Sequence, residues 1–153
     1  MSEPQAWFNM LRISNAPTII SNVMVGLALA IQSHSLEWSG TSTPPRLDFL
    51  KVLFVISVAL LLMYFSGMIF NDAMDAKWDK KHRPNRPIPS GLIKRRDAWL
   101  TASFMMGCGV LLCGMRQGAL ELSIVLSLVV LAYTLFHRWL LPAVILMALS
   151  RSL

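Results

Sequence analysis

Asn71, Asp72, Asp75 and Asp79 stand in the stretch FNDAMDAKWD, which directly follows a long apolar run. It holds three of the eight acidic residues in the chain. If the helix carrying the apolar run continues through Asp79, these four side chains fall within an arc of about 100°, and Lys77 projects elsewhere. Several oxygens then face one volume at the mouth of a membrane. Carboxylates that close repel one another unless a cation is present. An oxygen set with no Cys or His suits Mg²⁺, which prefers carboxylates, water and substrate phosphates to a closed protein cage. In a metal-bridged diphosphate site, the ion neutralises the charge of the leaving group. The competing reading is a solvated helix end whose Asp residues pair with Lys80, Lys81 or Arg83. It leaves their placement unexplained, because acidic groups at a helix C-terminus oppose the helix dipole.

The next segment, RPNRPIPSG, contains Pro84, Pro87 and Pro89. These exclude a continuous helix and predict a rigid loop that turns back over the opening. Arg83 and Arg86 could meet phosphate oxygens with their forked donors or bind lipid head groups.

The elements that position these residues are membrane helices. The chain has 153 residues, 55% hydrophobic and 14% charged, against about a quarter charged in soluble domains. A spanning helix needs about 20 mostly apolar residues. Ile13–Ile31, Val52–Phe70, Ala98–Met115 and Ala119–Phe136 satisfy this approximately, and a fifth apolar stretch runs from Trp139 to Leu149. The predicted fold is an all-α, multi-pass transmembrane bundle of about five helices. No cleavable signal peptide is expected at the start. Eight Lys and Arg lie between Asn71 and Asp97, from Lys77 to Arg96. The positive-inside rule then places the Asp-rich loop and the N-terminus in the cytoplasm, at the inner membrane if the source is bacterial. The net charge of +6 is read as that bias plus attraction to anionic lipid, with no nucleic-acid partner expected. Cys108 and Cys113 are five apart on a helix, on different sides, and predict neither a disulfide nor a metal pair. Gly26, Gly67, Gly107, Gly109 and Gly114 are expected to allow close helix approach. Trp78, Trp99 and Trp139 are read as interface anchors.

NDAMDAKWD followed by RPNRPIPSG resembles the first signature of the UbiA superfamily of intramembrane prenyltransferases, in order and in spacing. RISNAPTIISNVMVG and YTLFHR are similar to the family's first and fourth helices. The resemblance implies a bundle of about nine helices around a chamber open to the cytoplasmic side and to lipid. It also implies transfer of a prenyl chain from an isoprenyl diphosphate to a lipophilic, often aromatic, acceptor. Mg²⁺ would be held by Asn71, Asp72, Asp75 and Asp79, with Asp72, Asp75 and Asp79 the catalytic carboxylates. Arg83 and Arg86 would bind phosphate, Arg138 stands where the family usually has Lys, and Arg12 and Asn15 would face the acceptor or the chamber mouth.

The family's second Asp-rich motif has no counterpart here, since no Asp or Glu follows Glu121. The expectation is therefore an N-terminal part of a prenyltransferase domain over residues 1–153, incomplete at its C-terminus and inactive without a partnering half. Two alternatives stay open. One is a non-catalytic membrane scaffold or partner with a relic Asp-rich site. The other is a membrane phosphoalcohol transferase, whose D-G-x-x-A-R start is absent.

Overall fold

The computed structural model describes residues 3–32, 46–115 and 119–136. Its elements are α1 (Glu3–Leu11), a short 3-10 turn (Ile13–Asn15), α2 (Ala16–Gln32), α3 (Arg46–His82), α4 (Arg95–Gly114) and α5 (Ala119–Phe136). Every regular element among the described residues is helical, and the chain forms an all-α membrane bundle. The fifth apolar stretch at 139–149, Arg138 and the outer loop lie outside the described residues.

The first predicted span needs correction. A helix running unbroken from Ile13 would place Pro17 in its interior, where proline has no N–H and its ring meets the carbonyl four residues back. The chain instead ends α1 at Leu11, passes through Arg12 in the left-handed conformation (φ 47°, ψ 51°) and restarts at Ala16. Pro17 then occupies the first turn of α2, where it is tolerated. Glu3–Ala30, Phe49–His82 and Arg95–Gly114 are long and apolar enough to cross a membrane. The helix of the fourth predicted span has the expected bounds, but its apolar part, Leu120–Leu135, is shorter than the other three.

The second predicted span is part of a much longer helix. The 37 residues of α3 extend about 55 Å at 1.5 Å each, well beyond a hydrocarbon core of about 30 Å. Its last three turns, which carry the Asp-rich stretch, therefore continue past the apolar segment as one rigid rod. A turn-rich segment follows and reaches α4 through Gly91, whose φ of 80° suits a residue with no Cβ.

Small residues let α4 lie close against α3. A Cβ at Gly109 would sit 2.6 Å from Met63 Cγ and 2.9 Å from the Ala59 carbonyl oxygen. On the same seam Ser66 Oγ donates to the Ala102 carbonyl at 2.7 Å, and the rings of Phe70 and Trp99 meet at 5.1 Å. Ala98, Ala102, Met106 and Gly109 form the buried stripe of α4. Helix α5 approaches α3 where Gly67 would place a Cβ 3.0 Å from Val130 Cγ1. Gly26 and Gly107 are different: a Cβ on either would meet nothing within 4 Å, so close approach does not explain them among the described residues. Cys108 and Cys113 are both free thiols. Trp99, read from the sequence as an interface anchor, is half-buried against Phe70.

Candidate functional site

The polar end of α3 brings Asn71, Asp72, Asp75 and Asp79 to one side of the rod, because the helix continues unbroken to His82. The loop after it folds back through hydrogen bonds from Arg86 N to the Arg83 carbonyl (3.2 Å) and from Ser90 N to the Arg86 carbonyl (2.9 Å). The fold-back carries the Arg86 guanidinium over the acidic face. Its Nη1 donates to Asp79 Oδ2 at 2.7 Å and lies 3.4 Å from Asp72 Oδ1. The Asp79 side chain is only 2% exposed, against 13% for Asp72 and 26% for Arg86. The cation that meets Asp72 and Asp79 is therefore Arg86, not the Lys80, Lys81 or Arg83 of the solvated-end reading. Lys77, Lys80 and Lys81 are exposed. Arg83 is also exposed, with its guanidinium 5.9 Å from the centroid of Trp78, whose ring stacks on His82 at 4.0 Å.

Asp75 is half-buried on the same helix. The side-chain oxygen of Asn71 is buried and has no hydrogen-bond partner, an arrangement that ordinarily calls for a donor or a cation. At the base of α4, Arg95 Nε donates to the Ala73 carbonyl at 2.8 Å and ties the start of that helix to the acidic end of α3.

Two cavities of about 520 Å³ each flank this end. The first is polar and is lined by Asn9, Arg12, Asp72, His82, Arg83 and Arg86, among others. The second is mostly apolar and lies among α2, α3 and α5, with Asn22, Tyr64, Met68, Asn71, Val130 and Tyr133 in its wall. Arg12 borders both, a position set by the left-handed break between α1 and α2. Asn15 is exposed and reaches the apolar cavity indirectly, donating from Nδ2 to Tyr64 Oη at 3.0 Å. Neither Tyr64 nor Asn22 is among the candidate site residues that the sequence pattern singles out. Tyr64 could have been found, since it lies seven residues before Asn71, two helical turns back on the same face, in a run whose other polar side chains are Ser57 and Ser66.

The donor set fits Mg²⁺ as one wall of a site. All its atoms are oxygens, and Asn71 contributes a buried acceptor with no hydrogen bond of its own. Mg²⁺ commonly binds protein through one or two carboxylates and takes its remaining ligands from water and substrate phosphates. A closed cage is not formed: among the described residues no three Asp, Glu, His or Cys side chains gather as a metal-holding group.

The UbiA prenyltransferase family model matches residues 18–151. The chain belongs to the UbiA prenyltransferase family. Over 95 residues it is 36% identical to a digeranylgeranylglyceryl phosphate synthase of Methanosarcina mazei, covering 59% of this chain and 33% of that protein. It is 41% identical over 78 residues to the enzyme of the same name from Methanothrix thermoacetophila, covering 49% and 28%. A 4-hydroxybenzoate octaprenyltransferase of Aliivibrio salmonicida is 32% identical over 90 residues, covering 57% and 28%. The matched stretch spans about a third of these UbiA relatives' own length. No solved structure matches this UbiA chain. The scaffold and phosphoalcohol-transferase alternatives are not favoured by this family membership.

Proposed function

We propose that this UbiA chain carries the first diphosphate-binding face of an intramembrane prenyltransferase, which moves a prenyl chain from an isoprenyl diphosphate to a lipophilic or aromatic acceptor. The observation that carries the reading is that Asp72 and Arg86, the latter also paired with the buried Asp79, line a polar cavity that adjoins an apolar one across Arg12. A diphosphate with an apolar tail needs both environments side by side. Asn71, Asp72, Asp75 and Asp79 would hold Mg²⁺, which when bound neutralises charge developing on the leaving group.

The residues of the chain divide the remaining work. Arg83 and Arg86 offer forked donors to phosphate oxygens. The apolar wall of Met68, Val130 and their neighbours keeps water from an allylic cation. Arg12, and Asn15 through Tyr64, border the space in which an acceptor would lie. Arg138 is a further cationic contact in this proposal. The opposing set of carboxylates would come from protein outside these 153 residues, consistent with the third of the relatives' length that is matched.

The test is Mg²⁺-dependent binding of geranylgeranyl diphosphate by the chain in lipid nanodiscs. Asp75→Ala is expected to remove the Mg²⁺ dependence while membrane insertion persists. Undiminished Mg²⁺-dependent binding in that variant would overturn the metal assignment.

A further inference from the structure

Asp79 is a carboxylate with 2% of its side chain exposed. A buried carboxylate left without a counter-charge is strongly unfavourable. An ionised Asp79 therefore needs a cation beside it. Here that cation is the Arg86 guanidinium, 2.7 Å away, which also reaches toward Asp72. The same two carboxylates belong to the proposed metal face.

Arg86 is built to leave without disturbing the backbone. Its own N–H and carbonyl are both tied into the loop, and prolines at 84 and 87 flank it. Its side chain is 26% exposed and lines the polar cavity of about 520 Å³, together with Arg12, Arg83 and the Asp72 carboxylate. Rotation of the side chain alone would carry the guanidinium from the carboxylates into a space where an anion would already meet other cationic groups.

Resting on the proposed function, we infer that Arg86 and a divalent cation exchange on Asp79 and Asp72, with Arg86 passing to the diphosphate as the metal arrives. Metal and diphosphate then bind cooperatively. The metal by itself must displace an internal cation, whereas a diphosphate draws that cation away. Two ligands coupled in this manner tighten each other by the same factor. The exchange makes Arg86 a positioning residue for the metal, distinct from a fixed phosphate contact.

Mn²⁺ titration of the full chain in phosphatidylcholine nanodiscs, read by the loss of free-ion electron paramagnetic resonance signal, tests this directly. Arg86→Gln is expected to tighten Mn²⁺ binding in the absence of diphosphate by about tenfold, within the usual range of coupling between sites. Arg83→Gln removes the same charge from the loop without touching Asp72 or Asp79, and should change Mn²⁺ affinity far less. In the wild-type chain, inorganic pyrophosphate should tighten Mn²⁺ binding after correction for their complex in solution, a reading that needs no variant. Unchanged or weaker Mn²⁺ binding in Arg86→Gln, or equal tightening in Arg83→Gln, overturns the exchange while leaving the metal face standing. So does absence of pyrophosphate linkage in the wild type. No saturable Mn²⁺ binding in any form would instead overturn the metal face and the exchange together.

Discussion

The seam between α3 and α4 and the margin formed by α2 and α5 share the same central helix but are built on different terms. Along the seam, Gly109 sits against Met63 and the Ala59 backbone, Ser66 bonds across to Ala102, and Arg95 bonds to Ala73. At the margin, Met24, Val25 and Leu29 on α2 and Leu122, Val125 and Leu128 on α5 are exposed apolar residues. On α5 the hydroxyls of Ser123, Ser127 and Thr134 bond to carbonyls of their own helix, as in the 2.7 Å bond from Ser127 Oγ to the Ser123 carbonyl. In lipid, apolar contact alone gives helices little reason to associate, so close packing of small residues and interhelical hydrogen bonds carry the association. The seam has both. It holds the acidic end of α3 in place, while the margin forms a cavity wall with room on its outer side.

Substitutions at matched positions would break or sharpen this contrast. The largest effect is expected at Gly109→Ala, whose new methyl group would overlap Met63 and the Ala59 carbonyl. Overpacking of that kind costs about 1–3 kcal/mol, measurable as an earlier unfolding midpoint in denaturing detergent. Gly107→Ala, two residues along the same helix, adds a methyl in open space and should stabilise by up to about 1 kcal/mol through helix propensity. Equal behaviour of the two would mean that the seam does not lie where these contacts place it.

A smaller loss is expected for Ser66→Ala, which removes the bond to Ala102. Interhelical hydrogen bonds in membrane proteins contribute about 0.6 kcal/mol on average, so the same unfolding measurement should show a change of that order. The smallest belongs to Leu128→Ala. That side chain is 60% exposed on α5, and its truncation should change stability by less than about 0.5 kcal/mol. A larger loss at Leu128 would show that further protein covers the margin, and would erase the contrast between the two regions.

Much of the bundle was legible because its signals are local. A run of apolar residues defines a membrane helix wherever it packs, so Ala119–Phe136 and the core of α3 could be bounded from composition. The spacing of Asn71, Asp72, Asp75 and Asp79 puts them on one face only if the helix persists through Asp79, a condition the sequence left open and α3 meets by running to His82. The break at Arg12 was legible in principle through Pro17 but was masked by the apolar run around it. The partner of Asp79 was not legible. Lys80, Lys81 and Arg83 are nearer in sequence, yet the turn-rich loop brings Arg86 over the carboxylates instead.

The order and chemistry of residues 70–91 were enough to point to the family, which the match over residues 18–151 shows, and to suggest a face of oxygen donors, because a helical repeat and a proline-rich loop are properties of the chain itself. What required the folded arrangement was the pairing. Burial of Asp79, the fold-back of Arg86, the unpartnered oxygen of Asn71 and the approach of two unlike cavities at Arg12 depend on how separate segments meet. A sequence specifies which groups carry charge; the distances that decide whether those charges are solvated, paired with each other or able to accept a metal exist only once the helices have packed.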